Sequence, residues 1–154
     1  MYQRILVPFD GSKPSVLGLA EALKLAKLTG AKLRVVYVIS ELRGATGFEA
    51  YGICTGDLLT CMRTTGAGIL EQAHAQAKSA DAVIETEVLE SLGAHLVDRI
   101  VEQVQSWHAD LVVIGSHGQR GAPRLYMGGD AEQILRLSPV PVLIVRRTDI
   151  QQDH

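Results

Sequence analysis

The chain has 154 residues, 47% of them hydrophobic, and a formal net charge of −2 at pH 7. This length and composition suit one domain with a single sizeable core. The near balance of charges excludes a general attraction to nucleic acid or to anionic membranes. No apolar run approaches the ~20 residues of a membrane-spanning helix, and the N-terminus lacks a signal-peptide pattern. We therefore expect a cytoplasmic protein with no nucleic-acid and no membrane partner.

The first quarter of the chain predicts a β-α-β unit. Residues 4–9 form an apolar run that ends at the turn sequence Asp10-Gly11-Ser12, which indicates a buried strand. Ser12 or Asp10 can cap the helix that follows. Apolar residues then recur at helical spacing as far as Gly30, a residue typical of a helix C-terminus. Residues 32–39 become fully apolar and predict a second strand, joined to the first by a right-handed crossover.

The middle of the chain is less regular. Residues 40–56 contain four glycines and no clear periodicity. Such a loop is either a functional lid or a variable excursion, and the sequence leaves both interpretations open. Helix-forming residues return at 57–78. Gly66 and Gly68 predict a break or a kink in this helix, because each glycine costs about 1 kcal/mol there.

Cys54 and Cys61 are the two cysteines of the chain. No histidine or further cysteine accompanies them at the spacing of a zinc site. For a protein in a reducing cytosol, we expect two free thiols rather than a metal site or a disulfide.

The second half predicts three more strands and two more helices. Residues 83–90 mix apolar and acidic side chains, as in an edge strand that charge protects from pairing. An amphipathic helix follows at 96–107, and then an uncharged strand at 111–114. Asp130 and Gln133 fit a capping box at the start of a fourth helix. The last strand runs from Val140 to Val145.

These elements predict an α/β fold, a doubly wound parallel sheet of five strands with four helices covering both faces. We expect a single domain at residues 1–148 and a polar tail at 149–154.

The stretch from Gly115 to Asp130 carries the strongest functional signal. It lies between a strand and a helix, and its glycines follow the spacing Gly115-x2-Gly118-x9-Gly128. Glycines let a phosphate approach the backbone, and free N–H groups at a helix start attract an anion. Glycines also serve ordinary turns, so the spacing alone leaves both interpretations open.

A ligand of a parallel sheet binds beyond the carboxyl ends of the strands, where strand order reverses. If the first and fourth strands are neighbours, the turn that contains Asp10 faces the glycine loop. Val38 then ends the second strand beside them and presents its backbone to an adenine. Asp10 contacts a ribose or a metal in this interpretation; otherwise it is a turn residue or a helix cap.

Three segments resemble the universal stress protein family. They are Arg-Ile-Leu-Val-Pro-Phe-Asp-Gly-Ser at 4–12, Asp-Leu-Val-Val-Ile-Gly-Ser-His-Gly at 110–118 and Ser-Pro-Val-Pro-Val-Leu-Ile-Val at 138–145. The likeness extends over essentially the whole chain. Nucleotide-binding members of this family carry G-x2-G-x9-G followed by serine or threonine, and Gly115, Gly118 and Gly128 match the three glycines.

The resemblance implies the adenine nucleotide alpha-hydrolase-like fold, with strand order 3-2-1-4-5. It implies a homodimer in which the strand from Val140 to Val145 pairs with its twofold mate. It also implies a bound adenine nucleotide, with ATP as the first candidate. The adenine and ribose would lie against Pro8, Asp10 and Val38. The phosphates would lie against Gly115, His117, Gly118, Gly128, Gly129 and Asp130.

Two residues depart from the family pattern. Gly129 stands where serine or threonine is expected, so a hydroxyl contact to phosphate is missing. Asp130 adds a negative charge beside the phosphates, a repulsion that ranges from about 1 kcal/mol in water up to a few kcal/mol at ~4 Å near a protein surface. A Mg²⁺ ion bound through Asp10 or Asp130 would remove that repulsion by bridging carboxylate and phosphates.

We therefore expect a stress-response regulatory protein that binds an adenine nucleotide at the loop from Gly115 to Asp130. The alternative is a dimeric stress protein that binds no nucleotide and acts through protein partners, which Gly129 and Asp130 favour. We expect no dedicated catalytic site, because no third residue orients Ser116 and His117 and no P-loop lysine is present. Slow ATP hydrolysis stays open.

Overall fold

The computed structural model describes residues 1–39, 58–91, 93–116 and 129–146. Strands and helices alternate along these segments. They are β1 (Arg4–Pro8), α1 (Lys13–Thr29), β2 (Lys32–Ile39), α2 (Leu58–Ser79), β3 (Ile84–Glu90), α3 (Leu96–Ser106), β4 (Leu111–Gly115), α4 (Gly129–Leu137) and β5 (Val142–Val145). The predicted loop at 40–56 and the predicted tail at 149–154 lie outside the described residues.

The five strands form one parallel sheet in the order β3-β2-β1-β4-β5. This confirms the predicted fold class and strand order. The chain builds the sheet outward from β1 to β3, and β4 then returns to the other side of β1. Strand order therefore reverses between β1 and β4.

Two apolar layers enclose the sheet. Ile5 and Val7 of β1 face the layer of α1 and α2, whereas Leu6 between them faces the layer of α3 and α4. Neighbouring residues of a strand point to opposite faces. A strand that is covered on both faces therefore has a continuous run of apolar residues. This is why β1 and β4 lack the alternation of apolar and polar residues that is typical of a sheet with one exposed face.

The ends of α1 are set by the residues that the sequence indicated. Ser12 is the N-cap, and its hydroxyl accepts a hydrogen bond from the Ser15 N–H at 3.4 Å. Gly30 adopts φ 73°, and its N–H donates to the Ala26 carbonyl at 2.8 Å. Both ends therefore satisfy backbone groups that a helix terminus would otherwise leave unpaired.

The predicted break in α2 is wrong, because the helix is continuous from Leu58 to Ser79. Burial of Leu70, Ala73 and Ala77 against the sheet outweighs the propensity cost of two glycines, since tertiary packing supplies most helix stability. Gly66 also has a packing role. A Cβ atom built there would lie 2.7 Å from Cδ1 of Tyr37, so only glycine lets α2 lie this close to β2.

The expectation of free thiols is wrong for Cys61, which is buried and disulfide-bonded. None of the described cysteines is free. That expectation rested on the redox compartment, whereas a disulfide also depends on how close two side chains come in the fold. Cys54 lies outside the described residues. Within the part of the chain that the structure describes, no helix is long and apolar enough to cross a membrane.

Alanine at Gly66 tests its packing role. We expect Gly66→Ala to destabilise the protein by about 1–3 kcal/mol, because the added methyl group must displace Tyr37. Gly68→Ala is the matched control on the same helix: its Cβ meets nothing within 4 Å, so the free energy of unfolding should rise by up to about 1 kcal/mol. Urea unfolding followed by circular dichroism measures both, and equal effects of the two variants would contradict the assignment.

Candidate functional site

The sheet opens where strand order reverses. β4 is paired with β5 as far as Gly115 and Val145, but the register between β4 and β1 ends at Leu6 and Val112. Pro8 lacks an N–H group. The carboxyl ends of β1 and β4 are therefore not paired with each other. Ligands of parallel sheets bind at such a point. The candidate site is this crevice between β1 and β4.

The turn that contains Asp10 forms one wall of the crevice. Asp10 is buried, and its Oδ1 accepts hydrogen bonds from the Ser12 N–H at 2.9 Å and from the Ser12 hydroxyl at 2.5 Å. Ser12 in turn caps α1. Asp10 therefore has the turn role, one of the two roles that the sequence left open. Contact with a ligand stays a prediction for this residue.

The backbone of Val38 points towards the carboxyl end of β1. The Val36 carbonyl accepts from the Phe9 N–H at 2.8 Å, towards β1, and the Ile39 carbonyl accepts from the Ser91 N–H at 2.9 Å, towards β3. Backbone groups alternate in direction along a strand. The N–H and C=O of Val38 therefore point to the β1 side, just past the last β1–β2 pair, which joins Pro8 to Val36. Sequence pattern alone does not give this direction.

Gly115 lies where α1 meets the end of β4. A Cβ atom built at Gly115 would lie 2.3 Å from the Pro14 carbonyl oxygen, and one built at Gly18 would lie 3.2 Å from the Gly115 nitrogen. Helix and strand therefore need glycine at the contact. The sequence predicts a phosphate contact for Gly115 and does not reveal this packing role. Gly18, a glycine inside the first predicted helix, is the feature of the sequence that could have indicated this close contact.

The start of α4 forms the opposite side of the candidate site. The helix begins at Gly129, so Asp130 lies within its first turn and is exposed. The predicted capping box, with Asp130 as the cap, is wrong: the pattern of side-chain types fits, but the helix begins at Gly129, two residues before the Ala131 start that a cap at Asp130 requires. Asp130 still favours the helix through its macrodipole. A Cβ atom at Gly129 would meet no other described residue within 4 Å.

The remaining phosphate-side residues predicted from the sequence, His117, Gly118 and Gly128, lie outside the described residues. Among the residues that the structure describes, no group of three or more histidine, cysteine, aspartate or glutamate side chains is placed to bind a metal ion. Binding of Mg²⁺ through Asp10 or Asp130 stays a prediction.

Known proteins identify the family of this chain. The model of the universal stress protein family matches residues 1–52 and 57–146. The chain belongs to the universal stress protein family. Universal stress protein MJ0531 of Methanocaldococcus jannaschii is 30% identical over 148 residues, which are 96% of this chain and 84% of that relative. Universal stress protein YxiE of Bacillus subtilis is 30% identical over 155 residues, 95% of this chain and all of that relative.

Solved structures agree with this membership. A universal stress protein in complex with cAMP is 30% identical, with a TM-score of 0.64, over 94% of this chain and 97% of that one. The hypothetical protein MJ0577 has a TM-score of 0.77 at 19% identity, over 97% of this chain and 99% of that one. The second likeness shows the fold alone.

Alanine at Gly115 tests the contact between α1 and β4. We expect Gly115→Ala to lower the free energy of unfolding by about 1–3 kcal/mol, because its methyl group meets the Pro14 backbone and a backbone cannot rotate away. Gly129→Ala, whose Cβ has open space, should change it by less than about 0.5 kcal/mol. Urea unfolding measures both, and a Gly115→Ala variant as stable as Gly129→Ala would disprove the contact.

Proposed function

We propose that this chain is a stress-response regulatory protein that binds an adenine nucleotide, ATP as the first candidate, in the crevice between β1 and β4. The observation that carries the proposal is the early end of the β1–β4 pairing, which leaves two strand ends open at the reversal of strand order. Crevices at this position are the usual ligand sites of open parallel sheets.

Each part of the nucleotide has a matching group. An adenine edge presents one donor and one acceptor, and the N–H and C=O of Val38 are a complementary pair that faces the crevice. We infer that Asp10 would accept hydrogen bonds from ribose hydroxyl groups. The loop from Gly115 to Asp130 would surround the phosphates with backbone N–H groups, and α4 would direct its positive end towards them.

The family supports the adenine part of this proposal. The 30% identical universal stress protein was solved with cAMP, which shares its base and its ribose with ATP. Because cAMP has a single phosphate, that complex favours an adenine nucleotide without selecting ATP. Mg²⁺ would accompany a triphosphate, since it commonly bridges phosphate oxygens and a carboxylate, and Asp10 and Asp130 are the candidate carboxylates.

A second candidate function is a stress protein that binds no nucleotide and acts through protein partners. Asp130 favours it, because its exposed carboxylate lies in the first turn of α4, where a phosphate would otherwise benefit from the helix dipole. Gly129 favours it as well, because the family motif has a hydroxyl residue at this position.

We also propose a homodimer in which β5 pairs with its twofold mate. β5 is an edge strand, its four residues Val-Leu-Ile-Val carry no charge, and Leu143 is 37% exposed. An exposed apolar edge is a ready template for pairing with another chain. The cytoplasmic location and the domain boundary at residue 148 stay predictions from the sequence.

ATP titration tests the nucleotide site. The purified protein is first denatured, and any released ligand is identified by mass spectrometry; ATP, AMP and adenosine are then titrated calorimetrically with and without Mg²⁺. We expect saturable binding of ATP. No released nucleotide and no binding heat in either buffer would overturn the proposal and favour the second candidate function.

Neutralising Asp130 refines that experiment. We expect Asp130→Asn to bind ATP about tenfold more tightly without Mg²⁺, because one charge repulsion is removed. The control is Glu132→Gln, which removes another carboxylate from the same turn. The Glu132 carboxylate forms an ion pair with Arg136 at 2.8 Å. Equal effects of the two variants would contradict a specific repulsion. If Asp130→Asn binds ATP more weakly only when Mg²⁺ is present, Asp130 is a metal ligand.

A charge on β5 tests the dimer. We expect Leu143→Glu to convert dimers to monomers. Pairing would bring two glutamates together across the twofold axis and would bury both charges away from water. The control is Val83→Glu, at an apolar residue that is 94% exposed and precedes the opposite edge strand. Light scattering after size-exclusion chromatography gives both masses, and a Leu143→Glu dimer as stable as wild type would refute pairing through β5.

A further inference from the structure

Ser116 is a buried serine without a structural role for its hydroxyl. It is 3% exposed, and its backbone N–H donates to the Val145 carbonyl at 3.0 Å. Its hydroxyl has no hydrogen-bond partner among the described residues. The other two fully enclosed serines differ: Ser15 donates its hydroxyl to the Ser12 carbonyl at 2.8 Å, and Ser91 donates its hydroxyl to the Ile39 carbonyl at 3.0 Å. The Ser116 Oγ is not among the fully buried, unpartnered polar atoms of the described residues, so it stays accessible at the end of β4.

The direction of the Ser116 side chain follows from its neighbours on the strand. Gly115 faces Pro14 of α1. The ladder to β5 continues through the Ser116 N–H, so Ser116 faces the opposite layer. Ile114, which precedes it on that face, belongs to the same apolar cluster as Ala131 in the first turn of α4.

The start of α4 lies at the same edge of the sheet. β4 and β5 are parallel, so the helix that joins them must begin where β4 ends. The N-terminus of this nine-residue helix and the Ser116 hydroxyl therefore border one space at the end of the sheet. A helix N-terminus attracts anionic oxygens, and an unpaired hydroxyl beside it offers one more donor.

We propose that the Ser116 hydroxyl donates a hydrogen bond to a phosphate oxygen of the bound nucleotide and supplies the contact that Gly129 lacks. The family motif places a hydroxyl on α4, after the third glycine. In this chain the hydroxyl comes instead from the end of β4, on the same layer. The inference rests on the proposed nucleotide site and assigns Ser116 to its phosphate part.

The test compares ligands with and without phosphate. We expect Ser116→Ala to weaken ATP binding roughly tenfold to a hundredfold, the range for a hydrogen bond to a charged group. Adenosine should bind it as it binds the wild type. Ser91→Ala is the matched control, because it removes a buried hydroxyl bonded to backbone, and its ratio of ATP to adenosine affinity should equal that of the wild type.

A rescue variant separates phosphate recognition from a structural effect. A Cβ atom at Gly129 meets none of the described residues within 4 Å, so Gly129→Ser is compatible with the described part of the fold. We expect the double variant Ser116→Ala/Gly129→Ser to regain most of the lost ATP affinity. Wild-type protein that binds no nucleotide would overturn the proposed function and this inference together. Wild-type binding with unchanged ATP affinity in Ser116→Ala, or with equal losses for ATP and adenosine, would overturn this inference alone.

Discussion

The first turn of α1 lies against the end of β4 with no room for a side chain between them, and much of the molecule depends on this contact. The Pro14 carbonyl occupies the space that a Gly115 side chain would need, and Gly18 approaches the same strand end from the next turn. Because α1 follows β1 directly, the contact fixes the end of β4 relative to the turn at Asp10. One wall of the crevice between β1 and β4 is therefore fixed by a contact between the backbones of α1 and β4. A change of side-chain rotamer cannot widen the crevice at this wall.

The two edges of the sheet are built in opposite ways. On β3, Glu85 and Glu87 bind Arg34 of β2 at 2.9 and 3.3 Å, and the Arg34 guanidinium lies 4.8 Å from the centroid of the Trp107 ring. These charges discourage another strand from pairing with β3. On β5, Leu143 is half-exposed and the strand has no charge. The β5 edge therefore lacks the charges that discourage strand pairing at the β3 edge, which is why the proposed dimer uses β5.

The sequence predicted the sheet, its order and both ends of α1, because these follow from local patterns: apolar runs, the Ser12 cap, the glycine at 30 and a family resemblance. It failed where a residue acts through a distant partner. Gly66 looked like a helix breaker because its contact with Tyr37 joins two elements far apart in the chain. The side-chain type of Asp130 is typical of a helix cap, but side-chain type does not determine which residue begins the helix. The backbone direction of Val38 and the burial of Ser116 needed the register of neighbouring strands.

The candidate site divides into two parts that the chain controls differently. The part for a base and a ribose consists of backbone groups at Val38 and of the turn at Asp10, whose directions follow from strand pairing and from the Ser12 cap. Among the described residues, the hydrogen bonds that fix these directions involve no residue of α4. The part for phosphates depends on side chains and charge at the start of α4, where Gly129 and Asp130 depart from the family pattern. In the proposed nucleotide site, changes at Gly129 and Asp130 are therefore expected to alter the preference among phosphates without altering the contacts to adenosine, because different interactions build the two parts.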